Sequence, residues 1–507
     1  MTRKYLLLFL LVFTTSAYAA DQYPVIIEHN VAAKMRDGVT LHADIYRPKA
    51  DGQFPVLLQR TPYDKRGGTD FGLKAAARGY VAIIQDVRGR YSSEGEWYTF
   101  KNESNDGYDT VEWAAALPYS NGKVGMWGGS YVGATQMLAA VAHPPHLAGI
   151  CPVVTASNYH NGWTYQGGAF EQWFNESWTS GLAQDTLSRK IQNGANAMKG
   201  ISTLPLADYS LFNLTNPTGT TSIAALAPYF SDWLTHPSYD DYWKQLSIED
   251  RYADITVPAL HIAAWYDIFQ GGTLRNYIGI KAHGGSEAAR HGQHLLVTIG
   301  GHAGGGRKIG DVDFGPAAAQ YDENEITLRW YDYLFNGVQN EFASGKPVRI
   351  FVMGINQWRD EDDWPIARAR ETKYFLHSSG KANSLSGDGT LASTTPGSET
   401  FDKFTYDPGN AVPTVGGPLC CDSQHLGPGP RDQRSVEARN DVLVYSTPTF
   451  TKDTEITGPI RAELYVKSSA VDTDFTAKLV DVGPDGFAQN LTEGILRARY
   501  RDSQEKP

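Results

Sequence analysis

The stretch GMWGGSYVGATQ, residues 125–136, constrains this chain more than any other. It overlaps an apolar run, KVGMW (123–127), that reads as a buried strand, and it opens SYVGATQMLAAVA (130–142), which reads as a helix ending before His143, Pro144 and Pro145. Ser130 therefore stands at the bend between strand and helix. Crowding at such a bend admits only small neighbours, here Gly128 and Gly129, and the helix N-terminus faces the serine. The familiar pattern G-x-S-x-G is met with a shift: Val132 holds its last position and Gly133 follows one residue later. A glycine-rich turn with an incidental serine is the plain alternative, and the surrounding chain decides between the two.

That chain alternates strands and helices. VAAKMRDGVTLHADIYRP (31–48) reads as a hairpin around Asp37 and Gly38. PVLLQR (55–60) and YVAIIQDVRG (80–89) read as buried strands separated by the helical FGLKAAARG, and DTVEWAAALP as a further helix. This order predicts an α/β fold with a mostly parallel sheet covered on both faces, over 20–154. From 155 to 255 the strand signal fades and aromatic-rich segments take over, as in NGWTYQGGAFEQWFNESW, which predicts a helical cap on the C-terminal edge of the sheet. Strands return over 256–365 with PALHIAAW and HLLVTIG, followed by the helical EITLRWYDYLFNG. Beyond 366, KYFLHS, PIRAELYVKS and TDFTAKLVDV among Gly- and Pro-rich loops predict an all-β sandwich over 366–507.

A serine nucleophile needs a histidine as base and an acid to orient it. Asp267 directly follows the strand PALHIAAW, and His302 follows HLLVTIG, so the chain order Ser130, Asp267, His302 fits a hydrolase triad. His291 and His294 compete for the role, but both lie before or at the start of that strand, at the wrong end of the sheet.

Other features bound the function. Arg3 and Lys4, an apolar run from Tyr5 to Phe13, and Ala17-Tyr18-Ala19 read as a secretory signal over 1–19, so a secreted or periplasmic protein is expected, without a membrane span in the mature chain. A net charge of −11 argues against nucleic acid as partner. Cys151 lies in a strand-like segment and reads as a buried thiol. Cys420 and Cys421 are adjacent and would bridge only with strain, so an unbridged loop pair without catalytic role is expected, with a redox role as the less favoured alternative. No Cys/His cluster has metal-ligand spacing in sequence, and neither metal nor cofactor is called for.

The chain resembles the cocaine esterase, α-amino acid ester hydrolase and X-Pro dipeptidyl-peptidase family of serine hydrolases. The resemblance is carried by GGSYVG (128–133), RTPYDK (60–65), QDVRGRYSSEGEW (85–97), WYD (265–267) and PVRIFVMGINQWRDEDDWP (347–365). It implies an α/β-hydrolase domain, an inserted helical cap and a C-terminal jelly roll, which in relatives runs on through further strands, so that a sandwich stopping at GILRARYRDSQEKP is expected to be either truncated or completed by a partner. It also implies that the Tyr63 hydroxyl and the Tyr131 backbone N–H form the oxyanion hole, a sensible pairing because a tetrahedral intermediate places a full negative charge on one oxygen.

Three departures shape the expected substrate. The family's histidine follows G-P-W-x, whereas Gly300-Gly301-His302 is two residues shorter. Relatives acting on α-amino esters carry a Glu-Asp pair two and three residues past the triad aspartate, and here those positions are Phe269 and Gln270. The cap has Asn161 and Gly162 before Trp163 where acids would be wanted. An aromatic pocket of Trp163, Phe170, Trp265 and Phe269 would instead suit an uncharged acyl group, with ordinary core packing as the alternative for each of the four. X-Pro dipeptidyl-peptidases of the family also carry a large helical domain before the catalytic one, which is not seen ahead of the first strand here. The expectation is an exported hydrolase cleaving an ester or amide of a small acyl substrate through an acyl-enzyme. A β-lactam acylase or X-Pro-type peptidase with the same triad is the rival enzyme, and a non-catalytic carbohydrate-binding protein the rival of another class.

Overall fold

The computed structural model describes residues 23–192, 226–421 and 427–507. The expected secretory signal lies outside the described residues. The centre is a ten-stranded mixed sheet. Its first strands are β1 (Val25–Lys34), β2 (Thr40–Pro48), β3 (Phe54–Thr61), β4 (Val81–Asp86), β5 (Ser120–Gly129) and β6 (Leu147–Val153). The cap contributes a short hairpin, β7 (Tyr165–Gln166) and β8 (Ala169–Phe170), before the main sheet resumes with β9 (Ala259–Tyr266) and β10 (Gln293–Gly301). A second small hairpin, β11 (Lys308–Ile309) and β12 (Val312–Asp313), precedes the last sheet strands, β13 (Val348–Val352) and β14 (Gln357–Glu361). The spatial order is β1-β2-β4-β3-β5-β6-β9-β10-β13-β14. From β4 through β13 every neighbouring pair is parallel, and antiparallel strands close both edges.

Alternation along the central strands explains why they are apolar throughout. Val56 and Leu58 of β3, Val81 and Ile83 of β4, and Val124 and Met126 of β5 face one core, together with helices α2 (Glu103–Ala115) and α3 (Tyr131–Val141). Leu57, Ala82, Ile84 and Trp127 face the other, together with α1 (Thr69–Ala77) and the Glu323–Asn336 helix. Each strand is thus covered on both faces, as a parallel sheet requires.

The first of these cores runs without a break into the cap. Trp163, Phe174, Trp178, Trp233 and Trp243 join the residues of α2 and α3 in a single apolar cluster. The cap's long helix, α4 (Gln172–Gln192), lies over the C-terminal ends of the strands, where Arg90 of the loop after β4 donates to the Leu182 carbonyl at 2.8 Å.

Beyond residue 366 the described strands form two hairpins: β15 (Phe375–His377) with β16 (Thr390–Ala392), and β17 (Asp474–Val482) with β18 (Ala488–Arg497). The segment PIRAELYVKS, expected to be a strand, is not one; Leu464, Tyr465 and Val466 are exposed. Alternation describes a surface that fits a sheet, but a strand also needs a hydrogen-bonded neighbour, and among the described residues this segment has none. The β17–β18 hairpin docks back onto the site's rim. Arg497 N–H donates to the Gly167 carbonyl between β7 and β8 at 2.8 Å, and the Tyr266 hydroxyl at the end of β9 donates to the Asn490 carbonyl at 2.9 Å.

Candidate active site

At the end of β5 the backbone turns sharply into α3. Ser130 takes φ 62° and ψ −127°, a left-handed conformation costly for a residue with a side chain. The turn is held by Ser130 N–H to the Val153 carbonyl at 2.9 Å and by the Ser130 carbonyl, which accepts from Gly133 N–H and the Thr155 hydroxyl, each at 2.9 Å. The shifted glycine of the motif has a steric reason. A Cβ on Gly133 would come within 2.7 Å of the Thr155 side chain, and one on Gly128, at φ 126°, within 2.4 Å of Val132. Val132 can stand where the pattern has glycine because the tight contact falls one residue later.

Asp267 and His302 extend from the ends of β9 and β10. The His302 Nδ1–H donates to Asp267 Oδ1 at 2.7 Å, and Nε2 accepts from the Ser130 hydroxyl at 2.8 Å. Asp267 is buried, and its second oxygen accepts from Phe269 N–H at 3.1 Å, which fixes the carboxylate plane. The short loop still delivers the histidine, because Gly301 and Gly304 exchange backbone hydrogen bonds and close a tight turn around it. Ser130 and His302 keep part of their surface open while the acid behind them does not. His291 is paired on the surface with Glu287 at 2.9 Å. His294 packs between Trp330 and Phe342, where burial lowers its imidazole to about 4. Neither approaches Ser130.

Tyr63 lies on the loop after β3, and RTPYDK is the anchor of that loop. Arg60, fully buried, donates to Glu103 Oε2 at 2.7 Å. At the other end the Lys65 N–H and ammonium both bind Asp86, at 2.8 and 3.3 Å, and the Arg90 guanidinium donates to the Pro62 carbonyl at 3.0 Å. Between these anchors one side of the Tyr63 ring is open, while its hydroxyl, set among protein groups, faces Ser130 and accepts from the Trp178 indole N–H at 2.9 Å. Burial raises this phenol to about 12, so it stays a neutral donor at any ordinary pH. The Tyr131 N–H opens α3, whose first internal bonds run from Gly133 and Ala134 to the Ser130 carbonyl, leaving the amide as one of the helix's orphan donors. Its side chain is pinned beneath: the hydroxyl accepts from Phe100 N–H at 2.8 Å and donates to Glu103 Oε1 at 3.0 Å.

Of the expected pocket residues, the structure groups two with the triad. Phe269 meets His302 edge-on at 5.1 Å between centroids and stacks on Trp163 at 4.4 Å. Phe170 packs against Tyr165 and Phe230 in the cap hairpin, further out. Trp265 stands apart: its indole donates to the Phe351 carbonyl at 2.7 Å and its ring packs on Trp364, because at the end of β9 it turns toward β13. Phe174 and Trp178 take its place. Both pack on Trp163, and they stand three and seven residues after Glu171, the residue just ahead of α4. Their spacing in EQWFNESW carried this signal. Burial, reinforced by Glu493, raises the Glu171 carboxyl to about 7.

Cys151 is the buried free thiol of β6. Cys420 and Cys421, by contrast, are joined by a disulfide, against the expectation of an unbridged pair. The backbone explains the difference, since Cys421 takes a left-handed φ of 72°. The pair lies against His302: the two sulfurs and an imidazole nitrogen are all within 4.8 Å of one another. No sequence spacing announces this, for the fold alone brings residues 302 and 420 together.

Residues 37–304 match the family model for X-Pro dipeptidyl-peptidase (S15 family), and residues 340–507 match that for the X-Pro dipeptidyl-peptidase C-terminal non-catalytic domain. The chain is 37% identical to a cocaine esterase of Rhodococcus sp. (strain MB1 Bresler), over 95% of this chain and 84% of that protein. Among solved structures it resembles an α-amino acid ester hydrolase, with 24% identity, a TM-score of 0.73 and coverage of 97% of this chain and 84% of the other. An aminopeptidase from a marine sediment archaeon, Thaumarchaeota archaeon, gives 24% identity and a TM-score of 0.76 over 96% and 84% of the two chains. These two likenesses concern the fold.

Proposed function

The chain belongs to the X-Pro dipeptidyl-peptidase (S15) family and is a serine hydrolase, and we propose that it cleaves an ester or amide bond of a small, uncharged acyl substrate through an acyl-enzyme. The observation that carries this reading is the unbroken chain Ser130, His302, Asp267, linked at 2.8 and 2.7 Å. Ser130 attacks the carbonyl carbon as His302 Nε2 takes its proton, and Asp267 holds the imidazole in the tautomer that can do so and favours the imidazolium. The Tyr63 hydroxyl and the Tyr131 amide donate to the oxyanion. Collapse expels the alcohol or amine with the proton from His302, and water repeats the sequence to release the acid.

The acyl group rests against Trp163, Phe174, Trp178 and Phe269 in this reading. An α-ammonium gains little there, since Phe269 and Gln270 carry no charge and a desolvated cation without a partner is costly. The signal-like residues 1–19 support export to the periplasm or medium, and the alternating segments beyond 366 support a jelly-roll module.

Kinetics on a phenylglycine ester and its des-amino analogue test the substrate class. Comparable kcat/KM values are expected. A large preference for the amino ester would contradict the uncharged pocket and place the acids that hold the ammonium elsewhere in the cap.

A further inference from the structure

The Cys420–Cys421 disulfide is not used by the hydrolytic mechanism, yet it lies against the residue on which that mechanism turns. Cys420 is buried within the same apolar cluster as Trp163 and Phe269, whereas Cys421 is exposed and open to attack by a thiolate. We propose that reduction of this disulfide converts Cys420, Cys421 and His302 into a three-ligand site for a thiophilic divalent cation such as Zn²⁺, which shuts the enzyme off.

The chemistry of the donors favours such an ion. Two thiolates and an imidazole are the ligands zinc prefers, and three protein ligands leave a fourth position for water. Ligand atoms around tetrahedral zinc lie roughly 3.5–3.8 Å apart, given Zn–S and Zn–N bonds near 2.3 and 2.0 Å. The imidazole nitrogen already lies within 4.8 Å of both sulfurs, so an approach of about an ångström brings it to that spacing, while the sulfurs part as their bond is reduced. Asp267 holds Nδ1 at 2.7 Å and leaves Nε2 as the ligating nitrogen, the carboxylate–histidine arrangement common behind metal-bound imidazoles. That nitrogen is the one that takes the Ser130 proton. Metal binding and catalysis therefore compete for one lone pair, and the bound form is inactive.

The steps balance. A dithiol reductant gives two electrons and two protons to the protein disulfide and becomes a disulfide itself, by exchange through a mixed disulfide at Cys421. The resulting pair of thiols then releases two protons as the cation binds. When the ion leaves, the two thiolates take up two protons, and exchange with a small-molecule disulfide, which accepts the two electrons and two protons and departs as two thiols, restores the active, metal-indifferent form.

The test uses the full chain in two states, oxidised and dithiothreitol-reduced, the second freed of reductant by desalting. Thiol counts in denaturant verify the states, with one thiol expected before reduction and three after. Zn²⁺ in slight excess is expected to lower esterase activity at least about tenfold in the reduced enzyme, to leave the oxidised enzyme unchanged, and to be reversed by a chelator. Bound zinc, measured separately, is expected at one per reduced chain. Cys421→Ser is expected to retain basal activity and lose the inhibition, and His302→Ala to weaken zinc binding by about tenfold or more. A disulfide that resists the dithiol, equal inhibition of both states, or no zinc bound by the reduced chain would overturn the proposal. The inference rests on His302 as the base, and the two can fail separately. Zinc held through His302 without loss of activity would contradict the base assignment and leave the metal site standing.

Discussion

The Trp178 indole of the cap donates a hydrogen bond of 2.9 Å to the Tyr63 hydroxyl of the catalytic domain. With its lone pair engaged, the phenol is left to direct its own proton toward the oxygen that becomes charged. The cap thus reaches the hydroxyl that we propose as an oxyanion donor. Tyr63→Phe is expected to lower kcat by about 10²–10³ with little change in KM, because one donor to the transition state is lost while ring packing remains. Trp178→Phe is expected to cost roughly 2–12-fold in kcat, the net worth of one neutral hydrogen bond. In the double variant the Trp178 effect should vanish. Additive losses would mean that Trp178 acts through packing alone.

The histidine is tested by comparing three single variants. His302→Ala should lower kcat by several orders of magnitude, while His291→Ala and His294→Ala should leave turnover within a few-fold, one on the surface and the other packed behind the sheet. Collapse of turnover in His294→Ala with a native fold would contradict the geometry.

Arg60 and Glu103 are both buried and form the pair under Tyr131. Arg60→Met removes the partner of a carboxylate that burial already pushes toward its neutral form. A loss of roughly 3–5 kcal/mol in stability is expected, read by urea denaturation. Arg60→Met with Glu103→Gln should recover part of it, since no uncompensated charge then remains. A loss unchanged in the pair would place the cost elsewhere in the packing.

Glu171 gives a stability profile with a definite sign. Its carboxyl titrates near 7 in the folded chain against an ordinary 4.5, so between those values folding takes up a proton. The contribution of Glu171 is fully present below the unfolded value, and stability falls as pH rises through the window. Glu171→Gln should match the wild type near about pH 4 and exceed it in Tm near about pH 8. Parallel profiles would show that the carboxyl is unperturbed.

Ser130, Asp267 and His302 could be read from sequence because a parallel sheet presents its strand ends on one edge, and each of the three follows a strand. The sheet itself was legible for the same reason that its strands are buried on both faces, which leaves continuous apolar runs. Trp178 was not legible as a partner of Tyr63, since the contact spans 115 residues and no motif links a cap helix to a loop of the sheet. Trp265 looked like a pocket residue by its place beside Asp267, but alternation along β9 sends it with Ala263 into the core that also holds Val348 and Ile350 of β13. The Cys420–Cys421 bond escaped because bridging depends on one left-handed residue, Cys421, that sequence does not reveal.

The central claim is that His302 makes Ser130 the nucleophile. The most direct measurement is labelling with a fluorophosphonate, followed by mass mapping of the adduct. The wild type is expected to carry one phosphonyl group, on Ser130, and to lose activity in step with labelling. Ser130→Ala should take up none and lose on the order of 10⁶-fold in turnover while keeping its fold. An adduct on another residue, or Ser130→Ala with near wild-type esterase activity, would contradict the account.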